Sequence, residues 1–348
     1  MLISEQKMTN KKTKIFALIV LILLGAVAFA YHKVKQFADR PINVSSETIF
    51  TLPAGTGRVV LETLLIDKKL MKPNPWFPWL LRLEPELSEF KAGTYRFEKG
   101  MTIRQMLALL KSGKEAQFSI RFVEGFKLSD WMKVLDSSEF IKHELKGKSG
   151  EEIAAALGMT DTKNAEGWLY PDTYHYTAGM TDLSLLKRAH VRMEKTVADI
   201  WKGRADSLPY KTPADMMTMA SIIEKETAVK GERAEVASVF INRLRIGMRL
   251  QTDPTVIYGM GDSYTGNIRK KDLETPTPYN TYVISGLPPS PIAMPSEASL
   301  EAAAHPAKTA YLYFVADGKG GHTFSTNLEN HNKAVRVYLE ALKNKNEK

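Results

Sequence analysis

Two carboxylic acids raise the first question. In "ASIIEKETA", residues 220–228, Glu224 and Glu226 stand two positions apart at the end of an apolar run. On a helix, residues at that spacing point to nearly opposite sides. If residues 214–229 are helical, Glu226 lies one turn from Ile222 and Ile223 and near Met219 and Val229, an apolar stripe. Glu224 lies beside Ala220, Ser221, Thr227 and Ala228, which are smaller and more polar. A carboxyl group against apolar surface has its charged form disfavoured, so its pKa rises. A general acid working near neutral pH needs that shift. The pattern points to Glu226 as an acid and to Glu224 as a supporting hydrogen-bond partner. The plain alternative is a solvated helix face, with Lys225, Lys230 and Arg233 as partners. A one-residue shift of the helix face would favour Glu224.

Further polar clusters follow. "LQTDPTVIYG", 250–259, sets Gln251, Thr252 and Asp253 before a proline, where an Asp often serves only as a turn or cap. "TPYNTYVISGLPPSPIAMPS", 277–296, is dense in Tyr, Asn, Thr and Pro. Rigid backbone, hydroxyl donors and aromatic faces suit sugar rings, and they equally suit a structural loop. "EGWLYPDTYHY", 166–176, reads as an aromatic turn packed beneath a site. His322 and His331 fit no usual zinc spacing, and no metal is expected. No G-x-S-x-G, P-loop or dinucleotide fingerprint occurs, so nucleophilic serine, nucleotide and hydride chemistry have no support. No cofactor is expected.

The elements that must position these residues fall into blocks. "KKTK" precedes "IFALIVLILLGAVAFAY", residues 15–31, which carries no charge. At 1.5 Å per residue it is roughly 26 Å long, the short end for a membrane span. "AFA" at 28–30 offers a signal-cleavage site, but the apolar run exceeds a usual signal core and no polar region precedes that site. The reading is an uncleaved single-pass anchor. Lys7, Lys11, Lys12 and Lys14 place the N-terminus, 1–14, in the cytoplasm, against the weaker pull of Lys33 and Lys35. Residues 32–45 read as a linker. Residues 46–115 read as a small α+β module in which strand, turn and helix occur twice. Aromatic "NPWFPWLLRLEP" lies between the repeats and reads as a small core. Residues 116–348 read as a larger α+β domain, with helices near 128–137, 150–157, 182–201, 213–229, 231–246 and 297–304 and a terminal helix from 329. The segment 250–300 is turn-rich, and long irregular loops in compact domains tend to carry function.

Composition narrows the class. The chain has 348 residues, a formal charge of +9 and no cysteine. Disulfides, thiol catalysis and zinc–thiolate sites are therefore excluded. The basic residues are scattered and no nucleic-acid module appears, so nucleic acid is not an expected partner. A mild basic excess suits a membrane or an anionic polymer.

The N-terminal anchor is followed in order by "GTYRF", "EGWLYPDTY", "ASIIEKET", "VFINRL", "LQTDPTVIYG", "YNTY", "GLPPSPI" and "YFVADGKGGHTF". In that order these motifs resemble the endolytic murein transglycosylase, or YceG-like, family across nearly everything after the anchor. The resemblance implies a bacterial inner-membrane protein facing the periplasm, a LysM-like module at 46–115 and a lytic transglycosylase domain at 116–348. It implies cleavage of peptidoglycan between N-acetylmuramic acid and N-acetylglucosamine without water, leaving 1,6-anhydromuramic ends and terminating nascent strands. Peptidoglycan synthases enter as possible partners only through the resemblance. The family's catalytic glutamate falls in "EKE" and maps to Glu226, in agreement with the helix-face argument, with Glu224 as support or alternative. Gln251, Thr252, Asp253, Tyr279, Asn280 and Thr281 are the expected substrate-binding residues. Two rivals stand beside this reading. A hydrolytic muramidase would need a second carboxylate, Asp253 or Glu274, to hold water. A membrane-anchored glycan-binding scaffold would not turn over at all.

Overall fold

A computed structural model describes residues 2–160 and 162–346. Met1 of the expected cytoplasmic tail, and Asp161, Glu347 and Lys348 of the expected catalytic region, lie outside the described residues. The chain divides into two compact units, residues 1–118 and 119–348.

The first unit opens with helix α1, Leu2–Ala38. It is the one helix among the described residues long and apolar enough to cross a membrane, over Lys12–Ala38. The helix runs without a break into the segment expected as a linker, because Val34, Phe37 and Ala38 recur at helical spacing and are buried in the unit's core. Strand β1, Thr48–Leu52, is followed by α2, Arg58–Asp67, and α3, Phe77–Leu83. Strand β2, Gly93–Phe97, then pairs antiparallel with β1, Thr48 opposite Phe97. Helix α4, Ile103–Ser112, closes the unit. Its start is fixed by a capping box between Thr102 and Gln105, and its end by Gly113 in the left-handed region. The core gathers Phe50 stacked on Phe97 at 5.2 Å, with Leu61, Leu65, Leu80, Tyr95 and Met106.

Strand β3, Phe118–Arg121, starts at the last residue of the first unit and leads into the second, where α5, Leu128–Asp136, and α6, Gly150–Leu157, follow. Strand β4, Thr173–Tyr176, pairs with β3. Helices α7, Asp182–Gly203, α8, Pro213–Glu226, and α9, Arg233–Arg245, then form the centre. Two short helices follow, α10, Asp253–Met260, and α11, Lys270–Glu274. Helix α12, Glu297–Ala304, the antiparallel pair β5, Tyr313–Ala316, and β6, His322–Ser325, and helix α13, Leu328–Asn346, complete it. Both units are thus mixed α and β, helices dominating over short two-stranded sheets.

Helix α8 is apolar nearly all round: Met216, Met217, Met219, Ala220, Ile222 and Ile223 are all fully buried. Such a helix belongs in the middle of a core, here among α7, α9 and α12. Burial of each large side chain contributes about 1.5–3 kcal/mol. Its start is set by Thr212 and Asp215 in a capping box, with Pro213 in the first turn. Its end comes at Glu226, three residues before the expected 229. Thr227 is extended, with φ −139°, and its hydroxyl accepts the Val229 N–H at 3.0 Å. A threonine that offers the backbone a local partner competes with the helix at that point.

Candidate active site

The two glutamates at the end of α8 have different surroundings. Glu224 is the more enclosed, its side chain 6% exposed. One oxygen accepts the backbone N–H of Ser296 at 2.9 Å and the hydroxyls of Ser296 and Ser299 at 2.5 and 2.6 Å. The other lies 3.5 Å from the buried Arg233 guanidinium. Glu224 therefore fastens the first turn of α12 to α8 and has no oxygen to spare.

Glu226 is half-buried by area, yet protein crowds its carboxyl. That burial is the main reason its pKa is pushed up from 4.5 to about 7. The Thr252 hydroxyl donates to Oε1 and pulls the other way. Asp253 adds to the rise, while His322 and Arg243 oppose it. The negative end of the α8 dipole falls at the same place and also disfavours a carboxylate. Among the described residues Oε2 takes no hydrogen bond. Glu226 opens on a cleft of about 410 Å³ with Arg243, Gln251, Asp253, Tyr282, Tyr313 and His331 in its walls.

Behind Glu226, away from the cleft, Thr252 belongs to a buried threonine cluster. Thr252 N–H donates to the Thr281 hydroxyl at 3.0 Å, and the Thr255 and Thr281 hydroxyls bond each other at 2.8 Å. These three residues are 0–2% exposed. Gln251, beside them, has φ +50°, a left-handed backbone that a side chain with a Cβ rarely adopts. Strain of this kind persists where neighbours over-determine the chain, and it gathers at functional sites. Arg243 closes the floor by donating to the Leu250 carbonyl at 2.6 Å and the Leu312 carbonyl at 2.7 Å.

The YceG-like family matches residues 50–337. The chain belongs to the YceG-like family. It is 33% identical over 339 residues to an endolytic murein transglycosylase of Bacillus subtilis, covering 92% of both chains. It is 25% identical over 359 residues to the endolytic murein transglycosylase of Streptococcus pneumoniae, covering 93% of this chain and spanning 64% of that relative's length. A crystal structure of a YceG-like protein from Listeria monocytogenes is 30% identical, with a TM-score of 0.50 over 83% of this chain and 99% of that one.

Within this YceG-like chain the six residues expected to bind substrate are divided. Gln251 and Asp253 line the cleft. Thr252 reaches it only through its bond to Glu226. Asn280 and Thr281 are fully buried: the Asn280 amide donates to the carbonyls of Asp272, Leu273 and Thr275, and Thr281 belongs to the threonine cluster. Tyr279 points elsewhere, its hydroxyl on Ser290 at 2.7 Å and its ring against Tyr258. Glu274 is exposed on α11 and is not among the residues lining the cleft.

The residue of "YNTY" that does face the cleft is Tyr282, which donates to Asp253 at 2.6 Å. Sequence reasoning passed over it, as it did Arg243. Arg243 carried a signal, since it falls on the same helical face as the buried Val236 and Phe240. Also missed was Glu166, opening the "EGWLYPD" motif. It is 4% exposed, and burial lifts it to about 7. Both its oxygens are engaged, by Leu128 N–H at 3.0 Å and the Tyr258 hydroxyl at 3.2 Å. It lines a separate cleft of about 580 Å³. Among the described residues no cluster of His, Asp and Glu is placed to hold a metal ion.

Proposed function

We propose that this protein is an endolytic peptidoglycan lytic transglycosylase in which Glu226 is the catalytic acid and base. One observation carries the assignment of Glu226: its carboxyl is held near pH 7 with one oxygen on Thr252 and the other open to a cleft. The protonated acid donates to the glycosidic oxygen as the bond from that oxygen to the muramic anomeric carbon breaks. Positive charge develops at that carbon. The muramic C6 hydroxyl attacks it and gives its proton to the Glu226 carboxylate, which restores the acid. No water enters, and the product is a 1,6-anhydromuramic end. A single carboxyl group suffices, where hydrolysing glycosidases use two.

Gln251, Asp253 and Tyr282 are the residues we assign to ring and N-acetyl contacts, with Thr252 positioning the acid. The buried Asn280 and Thr281 are assigned to holding the loop. Residues 46–115 of the first unit are read as a LysM-like glycan-binding module, supported by α2 and α3 lying between the paired strands β1 and β2. Helix α1 is read as a single-pass inner-membrane anchor with the bulk of the chain in the periplasm, supported by its apolar run and the lysines before it. Action beside the synthases, terminating nascent strands, is proposed from the family resemblance alone.

The test is mass spectrometry of products from peptidoglycan strands, wild type beside Glu226→Gln and Glu224→Gln. Anhydromuramic ends that vanish with Glu226→Gln are expected. Reducing ends would instead favour hydrolysis with Asp253 holding water, since Asp253 lines the same cleft. Bound but uncut strands would favour the scaffold.

A further inference from the structure

The apolar run of α1 ends in a belt suited to a lipid–water boundary. Phe29 and Tyr31 are exposed, and Lys33 and Lys35 stand over their rings at 5.4 and 5.2 Å. Aromatic rings with flanking lysines collect at the headgroup level of bilayers. The rest of the first unit covers α1 just beyond this belt. Ala30 and Lys33 are partly covered, and Val34 and Phe37 are buried, continuing one face of the helix. Helix α3 packs against the last turns of α1, with Phe77 edge-on to Phe37 at 6.4 Å.

Helix α3 buries Phe77, Leu80 and Leu81 on one side. On its other side Trp79 and Leu83 are 51% and 49% exposed, at helical spacing, with the Arg82 guanidinium 4.9 Å from the Trp79 ring. A tryptophan, a leucine and an arginine on an uncovered face beside a membrane span form the pattern of an interfacial helix. From these observations we propose that α3 seats on the phospholipid surface where α1 leaves the bilayer, with Trp79 and Leu83 in the interface and Arg82 at the headgroups. The argument rests on reading α1 as the span. The seating continues that contact, and the basic side chains complement anionic headgroups. The consequence is a first unit held flat on the membrane by two adjacent elements instead of swinging on a tether.

The chain has no cysteine, so single labelling sites can be introduced without background. Trp79→Cys and Leu83→Cys in the full chain would each carry a nitroxide in vesicles of phosphatidylethanolamine and phosphatidylglycerol. Lys99→Cys is the reference: it lies in the turn before Met101, whose carbonyl accepts Ile42 N–H beyond the end of α1. The expected result is several-fold protection of both α3 labels from a water-soluble nickel chelate, relative to Lys99→Cys, with raised accessibility to oxygen. A chain that resists carbonate extraction while its α3 labels are as exposed as Lys99→Cys would overturn the seating alone. A chain released by carbonate would overturn the span and the seating together. Dipolar broadening between α3 labels would mean that a second copy, and not lipid, covers the face, which also overturns it.

Discussion

At the scale of single residues, the two glutamates of "EKE" differ in what their oxygens are free to do. Glu224 is spent on Ser296, Ser299 and Arg233, whereas Glu226 keeps one oxygen for the cleft. Glu226→Gln should reduce the rate of strand cleavage by about 10²–10⁴-fold, the usual contribution of a general acid. With the wild-type acid at about 7, activity should fall as pH rises through that value, because the proton needed for the first step is lost. Rate profiles between pH 5 and 9 test this, and Glu166→Gln should keep the same alkaline limb. Thr252→Val removes a donor that favours the Glu226 carboxylate, so its limb should move to higher pH. The raised pKa also has a sign for stability. The fold prefers the neutral acid, so the stability this group contributes is full below 4.5 and is lost as pH rises through about 7. Glu226→Gln should therefore raise the unfolding free energy at pH 8, by on the order of 1–3 kcal/mol, with little change at pH 4.5. Thermal melts at the two pH values measure it.

At the scale of elements, the site stands where α8 stops and where the 250–300 segment folds over it. Glu224→Ala should destabilise the second unit by about 2–4 kcal/mol, since it leaves the Ser296 and Ser299 donors at the start of α12 without their acceptor and Arg233 buried without its carboxylate. Denaturant unfolding would show this, and a loss of cleavage without a loss of stability would contradict it. Asn280 has a comparable structural task. Its amide holds three carbonyls at the end of α11, so Asn280→Ala should cost about 2–3 kcal/mol and lower activity through disorder of the cleft wall. Gly167 ties "EGWLYPD" to "LPPSPI". Its φ is +84°, and a Cβ there would stand 2.4 Å from the Pro291 side chain. Much of this level could be read from the chain. The helix starts at Thr102 and Thr212 follow from capping chemistry, and the apolar pattern of α8 announces a core helix. The stop at Glu226 could not be read, because it depends on a local hydrogen bond of Thr227 competing with one more helical turn.

At the scale of the whole molecule, a long apolar helix opens a small first unit, and a larger second unit follows along the chain. The full-length protein should remain with membranes after carbonate extraction, and a chain lacking residues 1–31 should not; fractionation and blotting decide it. Its products should carry anhydromuramic ends whether or not residues 1–31 are present, because the cleft is built wholly from the second unit.

The amino-acid order alone determined the apolar run, the absence of thiol chemistry, the helix-forming stretches and the ordered motifs of the YceG-like family. Each of these depends on neighbours in sequence or on composition. Tertiary structure decided which polar residues reach the cleft. Thr252, Asn280 and Thr281 look as available as Gln251 or Asp253 in a linear reading, but bonds to residues 5 to 29 positions away turn them inward. Tyr282 and Arg243 become cleft residues only when α9, α10 and the strand β5 converge. A side chain's chemistry is written in the sequence, but the partners that engage or release it are set by distant packing.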